Sequence, residues 1–254
     1  MKLSVLGCSG SVPVPGNPAS GYLLSFPDAP SIILDLGPGT FAELQKLQDP
    51  CRAHVALTHL HADHCSDFPS LMVWRRFHPT APAAQRNQFF GPAEACTRLG
   101  RVSADCDGDI DDMSDTFEAH VWREGETERV DAVAITPYQT VHPTEAYALR
   151  IEDEAGRVLT YSGDSAYTDV LVTAARGADV FMCEAAWGET SAGKAGGMHM
   201  SGAEAGRLAR EAGVGQLVLV HLQPWGDTEA TVAAARSEYA GEITVARAGM
   251  TFTV

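Results

Sequence analysis

Thr58-His59-Leu60-His61-Ala62-Asp63-His64 sets three histidines and an aspartate within six residues, directly after the apolar run Val55-Ala56-Leu57. An apolar run that breaks into a dense polar turn reads as a strand ending at a site. Side chains this crowded on one turn can meet at a point, and neutral imidazoles with a carboxylate are the donors a divalent ion of the zinc type takes. One histidine alone in such a place is more often a buried or surface residue with a hydrogen-bond partner. The complete H-x-H-x-D-H cluster is what points to metal.

Upstream of the cluster, Leu3 to Leu6, Tyr22 to Phe26 and Ile32 to Leu36 are short apolar runs separated by Gly, Pro, Ser and Asn, the pattern of a β-meander. Phe41, Leu44 and Leu47 recur at helical spacing after Thr40, a candidate N-cap, and Ala53 to Leu57 is the strand that carries the cluster. Downstream, helices are expected at Phe68 to Phe77 and Pro92 to Leu99, with a strand at Gln88 to Phe90 between them. The second half repeats this grammar. Strands are expected at Ala132 to Ile135, Ala146 to Ile151, Val158 to Tyr161, Val180 to Cys183 and Leu217 to Val220. Helices are expected at Asp169 to Arg176, Gly202 to Ala212 and Glu229 to Tyr239, and two short strands close the chain. The class is α/β, and residues 1–254 are expected to form one domain with ample chain for a large core.

The formal charge is −15, from 33 acids against 18 bases. A protein that binds by neutralising many phosphates would carry a basic face instead, so a large nucleic-acid partner is disfavoured. The six cysteines, Cys8, Cys51, Cys65, Cys96, Cys106 and Cys183, are scattered without a C-x-x-C pair. A chain of this length needs no disulfides for its core, and a reducing, cytoplasmic setting fits best. The apolar stretch before Cys8 is far shorter than the roughly 7–15 residues of a signal h-region, and no segment approaches the ~20 apolar residues that cross a bilayer. No membrane partner is expected, and whether the chain forms a homodimer stays open.

Three more candidate ligands each follow an extended apolar segment: His142 in Thr140-Val141-His142-Pro143, Asp164 in Tyr161-Ser162-Gly163-Asp164, and His221 in Leu219-Val220-His221. Strand ends gather on one rim of a sheet, so these can meet the first cluster. Two other stretches imitate sites. Six aspartates between Asp105 and Asp115 suggest a calcium loop, but Gly108 stands at the fourth position where the sixth is needed, and Thr116 replaces the bidentate Glu. Gly188 to Lys194 matches a P-loop until Ala195 takes the place of the magnesium-binding hydroxyl, and a glycine-rich loop over the site is expected there. Ser162 and Ser165 lie outside any G-x-S-x-G elbow, which argues against serine hydrolysis.

The cluster and the three later residues, in this order, resemble the metallo-β-lactamase superfamily. That resemblance implies a four-layer αβ/βα sandwich, in which two sheets pack face to face under outer helices, and two divalent ions that activate a water for hydrolysis. Residue by residue, it implies one ion at His59, His61 and His142, a second at Asp63, His64 and His221, and Asp164 bridging both. Zinc is the first choice, with Mn2+ or Fe2+ as alternatives. His61 stands where diiron redox relatives carry Glu, which argues against oxygen reduction. Glu184 in Cys183-Glu184-Ala185-Ala186 and His199 in Met198-His199-Met200 resemble the carboxylate and histidine of the ribonuclease Z branch, where the histidine touches the scissile phosphate and assists the leaving oxygen. Asp63, Glu184 and His199 are thus the expected catalytic residues.

Two departures narrow the reading. His142 and Asp164 stand only 22 positions apart, too few for the tRNA-gripping arm many ribonuclease Z enzymes insert there, and Pro38 occupies a place where that branch usually has Glu. What remains resembles atypical class II cyclic nucleotide phosphodiesterases and implies a small phosphodiester, 3′,5′-cyclic AMP, as substrate. The alternatives are tRNA 3′-end processing, another small phosphodiester, or a silent metal-bound interaction module. Arg75 and Arg76 could reach a phosphate or could serve as a solvated, salt-bridged helix face.

Overall fold

The structure, a computed structural model, describes residues 1–254. Fourteen strands run β1 (Lys2–Gly7), β2 (Gly21–Ser25), β3 (Ser31–Leu36), β4 (Ala53–Ala56), β5 (Asn87–Gly91), β6 (Phe117–Val121), β7 (Glu128–Val130), β8 (Val133–Gln139), β9 (Tyr147–Asp153), β10 (Val158–Tyr161), β11 (Val180–Glu184), β12 (Gln216–Val220), β13 (Glu242–Val245) and β14 (Thr251–Thr253). The helices are α1 (Thr40–Leu47), α2 (Ala62–Cys65), α3 (Phe68–Phe77), α4 (Ala95–Ser103), α5 (Asp169–Ala174), α6 (Gly202–Ala212) and α7 (Thr228–Glu238).

The strands form two seven-stranded sheets, in the orders β14-β1-β2-β3-β4-β5-β6 and β13-β12-β11-β10-β9-β8-β7. In the first sheet β1, β2 and β3 are antiparallel, and β3 to β6 are parallel. In the second, β7 to β10 are antiparallel, and β10 to β13 are parallel. Parallel neighbours need crossovers, and helices supply most of them, which places those helices on the outer faces.

Alternation along each strand sorts the apolar side chains into three cores. Leu3, Val5, Tyr22, Leu24, Ile32 and Leu34 meet Ile135, Leu149, Ile151, Leu159, Met182 and Val218 between the sheets. Leu6, Leu23, Ile33 and Val55 face Leu44 of α1, Phe68 and Leu71 of α3 and Leu99 of α4. Phe181, Leu217 and Leu219 face Leu171 of α5, Leu208 of α6 and Ala235 of α7. The fold is therefore the expected four-layer αβ/βα sandwich.

Local differences from the sequence reading have plain causes. Thr40 is the first residue of α1 and not its cap: Gly39, at φ 90°, takes the cap position, and the Thr40 hydroxyl donates to Gly37 O at 2.6 Å. Helix α4 starts at Ala95, because Pro92, Ala93 and Glu94 form the turn out of β5. Strands β6 and β7 fall in a stretch where no strand was expected. They are the outer edges of the two sheets, and most of their side chains reach solvent. The aspartate-rich stretch from Asp105 to Asp115 is a surface turn, and no helix is long and apolar enough to cross a membrane.

Candidate metal centre

Both sheets contribute to one rim. The loop from β4 into α2 carries His59, His61, Asp63 and His64. The ends of β8, β10 and β12 present His142, Asp164 and His221. Nitrogen and carboxylate oxygen atoms of His59, His61, His142 and Asp164 all lie within 4.8 Å of one another, and so do those of Asp63, His64, Asp164 and His221. Asp164 belongs to both groups. All seven sequence-predicted residues thus come together, in the two sets implied by the resemblance.

The hydrogen bonds assign protons to the imidazoles. The Thr58 hydroxyl donates to Asp35 Oδ2 at 2.8 Å, so it accepts from His59 Nδ1 at 3.0 Å and leaves His59 Nε2 without a proton. His64 Nδ1 bonds Asp35 Oδ2 at 2.8 Å, and His142 Nδ1 bonds Met198 O at 2.7 Å. The Nε2 lone pair of His142 then faces His61 Nδ1 at 3.0 Å, an arrangement that calls for a cation or a proton between them. His59 Nε2, His64 Nε2 and Asp164 Oδ1 are buried with no hydrogen-bond partner. Each such orphan costs about 1–3 kcal/mol, and divalent ions placed in the two groups would satisfy all three. The donor set of imidazoles and carboxylates fits zinc-type ions.

The electrostatics divide: His59 and His142 are held neutral, whereas nearby carboxylates favour a proton on His64 that an ion would have to displace. Burial, reinforced by the neighbouring His64, holds the pKa of His59 well below the ordinary histidine value, and burial lowers His142 to about 4. Both are neutral ligands-in-waiting near pH 7. Burial opposes the charge on Asp164, but His221 and His64 outweigh it and keep the carboxyl well below its usual range. Burial likewise opposes a proton on His64, and Asp164 and Asp35 outweigh it.

Backbone geometry aims these groups. In β2 and β3, Gly21 pairs with Leu36 and Tyr22 with Leu34, so Asp35 is the extra residue of a bulge. Its φ of 56° lies in the left-handed region, which Asp tolerates better than most residues. There its carboxylate accepts from Thr58 N at 2.7 Å and from Tyr161 OH at 2.9 Å, besides Thr58 Oγ1 and His64. Two glycines permit close approach: a Cβ on Gly37 would lie 2.0 Å from Asp63 O, and one on Gly10 2.4 Å from His221 O. Ser11 N donates to Asp63 Oδ2 at 3.0 Å, the same oxygen that His221 Nε2 reaches at 3.0 Å. Asp35 and Ser11 were not singled out from sequence. An acid inside the apolar run Ile32 to Leu36 is the signal that could have found Asp35.

Beside the candidate ligands stand Glu184 and His199. Glu184 is fully buried at the end of β11, and its Oε1 accepts from His199 Nδ1 at 2.9 Å and Ser165 N at 2.8 Å. Burial raises the Glu184 carboxyl; burial works against a proton on His199, but Glu184 outweighs it and raises that pKa. His199 Nδ1 lies 3.8 Å from Asp164 Oδ2, at the junction of the two groups.

Arg75 and Arg76 are not part of this centre. The Arg75 guanidinium, 1% exposed, bonds Thr116, Asn87 Oδ1, Gln85 O and Cys51 O, and Arg76 pairs with Asp111 and Asp115. Neither is free for a phosphate. A cleft of about 620 Å3 between Ser25, Phe26, Gln48 and Arg52 opens at the other end of the strands and holds no cluster of metal-binding residues.

Two facing sheets under helices, with a histidine and aspartate cluster on their shared rim, define a metal-dependent hydrolase. The model of the β-lactamase superfamily domain matches residues 31–222, and the chain belongs to that superfamily. An uncharacterized protein of Mycobacterium leprae is 47% identical over 254 residues, covering all of this chain and 89% of that one. The probable metallo-hydrolase YhfI of Bacillus subtilis is 30% identical over 98% of both chains. Its crystal structure aligns with a TM-score of 0.85, at 26% identity over 99% of this chain and 98% of that one. Human tRNase Z, short form, has the same fold, with a TM-score of 0.77 and 20% identity over 100% of this chain and 99% of that one.

Proposed function

We propose that the chain is a phosphodiesterase that hydrolyses 3′,5′-cyclic AMP to 5′-AMP, using two divalent ions, zinc first. The observation that carries this reading is the Glu184–His199 pair, 2.9 Å apart and beside the ligand Asp164. A departing alkoxide is a poor leaving group until it gains a proton, and this pair is built to give one.

In this reading His59, His61 and His142 would hold one ion and Asp63, His64 and His221 the other, with Asp164 belonging to both groups. Bound there, the ions supply Lewis-acid charge at the phosphoryl oxygens and lower the pKa of water. A water would give up one proton to the Asp63 carboxylate and form the new P–O bond through its oxygen. The P–O3′ bond breaks, its electron pair goes to O3′, and His199 delivers the proton from Nε2. Glu184 fixes the imidazole through Nδ1 and stabilises its cation, while Thr58 and Asp35 keep Nε2 of His59 and His64 turned to the centre.

A small diester is favoured over tRNA because the surface lacks what a polyanion needs. Net charge is −15, the three lysines are Lys2, Lys46 and Lys194, and both Arg75 and Arg76 are committed elsewhere. A cyclic nucleotide carries one charge, which the centre neutralises alone. The second reading, tRNA 3′-end processing, draws on the fold shared with human tRNase Z. The test is kcat/KM for 3′,5′-cyclic AMP and for a precursor tRNA in the same metal and salt. Site-specific cleavage of the tRNA with negligible turnover of the cyclic nucleotide would overturn the proposal. In parallel, His199→Ala is expected to lower turnover by about 10²–10⁴-fold with metal content unchanged; loss of an ion in that variant would assign His199 to the metals.

A further inference from the structure

Trp187 packs beside His199 and Trp225 follows His221 by four residues, and their surroundings differ. Trp187 meets the His199 ring edge-on at 4.9 Å and carries Lys194 Nζ 5.8 Å from its centroid. Trp225 lies on the loop that follows His221, is 66% exposed, and has no aromatic ring or cation against it. This exposed indole is held in place. Its Nε1 donates to Gln223 Oε1 at 3.1 Å, Gln223 Nε2 reaches Ser11 Oγ at 3.4 Å, and Ser11 N donates to Asp63 Oδ2 at 3.0 Å. The loop is further fixed by Gly10 N to Leu222 O at 3.0 Å and by the turn Gly226 N to Gln223 O at 2.9 Å. An indole with its N–H satisfied and its face bare is thus tethered, through two side chains, to a candidate metal ligand.

We propose that Trp225 is the stacking platform for the heterocyclic base of the substrate, and so the residue that makes this centre prefer nucleotides to other diesters. The proposal rests on the phosphodiesterase reading and adds what recognises the base. Stacking suits the position, because every base offers a π-face and a planar ring at the rim needs no buried polar partner. Gln223 orients the indole from behind, which lowers the cost of ordering it on binding.

The test compares 3′,5′-cyclic AMP with the ribose 3′,5′-cyclic phosphate that lacks a base, in wild type, Trp225→Phe and Trp225→Ala. The expected result is that the ratio of their kcat/KM values falls about tenfold in Trp225→Ala and much less in Trp225→Phe. Metal content serves as the control for an intact centre. A second measurement needs no turnover: in Trp187→Phe protein, which lacks the indole beside His199, AMP titrated into the metal-free form is expected to quench tryptophan emission, and adding Trp225→Phe is expected to abolish that quench. An unchanged ratio in Trp225→Ala, or a quench that persists when Trp225→Phe is added to Trp187→Phe, overturns the platform. If wild type hydrolyses neither diester, the phosphodiesterase reading is what fails, and the AMP titration still decides the role of Trp225.

Discussion

Removing the charge from Asp35 should loosen the metal centre without touching a ligand. The carboxylate is fully buried and accepts four hydrogen bonds, from Thr58 N, Thr58 Oγ1, His64 Nδ1 and Tyr161 OH, all between 2.7 and 2.9 Å. Hydrogen bonds to a charged group contribute about 1.5–3 kcal/mol each, but they are not additive, and removing the carboxylate also removes its own burial penalty. Asp35→Asn is the informative variant: Asn tolerates the left-handed backbone, and its carbonyl still accepts from Thr58 N. Its amide N–H group instead faces donors, so two or three bonds are lost. We expect a cost of about 2–4 kcal/mol, a large share of the 5–15 kcal/mol that holds a domain together, seen as a fall in Tm of roughly 4–16 °C. Without its anchor His64 turns more freely, and metal affinity should drop about 10–100-fold. Thermal melts in a chelator isolate the first effect, and competition titration with a zinc indicator measures the second. An Asp35→Asn protein with wild-type metal affinity and a metal-free Tm within 2 °C of wild type would refute the positioning role assigned here to Asp35, on the size of the effect worked above.

Three further outcomes are expected. Arg75→Ala should cost about 3 kcal/mol or more in urea unfolding, because it strands several buried oxygens, while Arg76→Ala should cost about 1 kcal/mol; a loss of activity per folded molecule in Arg75→Ala would return that residue to the substrate. Chelation should lower Tm, and metal at 100 times its Kd should restore about 2.7 kcal/mol; a Tm indifferent to both would mean no ion belongs in the cluster. Burial pushes the Cys8 thiol up to about 11 and that of Cys183 well above its ordinary value, whereas Cys106 is exposed. Thiolate is the reactive form, so at pH 8 a disulfide reagent should label Cys106 quickly and Cys8 and Cys183 only on unfolding; peptide mapping that finds Cys8 labelled in the native protein would contradict this burial.

The parts of the chain that declared themselves in sequence are those whose apolar pattern is strong. Val180 to Cys183 and Leu217 to Val220 are buried on both faces and read as unbroken apolar runs. Strands β6 and β7 did not, for the opposite reason: Glu118 and Val121 on one, and Arg129 on the other, face solvent at a sheet edge, where little apolar surface is needed. The histidine cluster was legible because four candidate ligands, three histidines and an aspartate, share one turn. Asp35 was hidden because its role comes from a bulge and from Tyr161, 126 residues away. The fate of Arg75 was equally hidden, since its partners Asn87 and Thr116 lie 12 and 41 residues further along the chain.

Four of the seven gathered residues lie within His59 to His64, while His221 reaches Asp63 across 158 positions. The unfolded chain therefore keeps a compact chelating peptide, and the folded protein adds the rest. Metal offered during refolding will meet that peptide first, before His142, Asp164 and His221 have arrived. Ions captured there in the wrong arrangement must be released before the two sheets can close, so refolding should be fastest when the chelator is removed last.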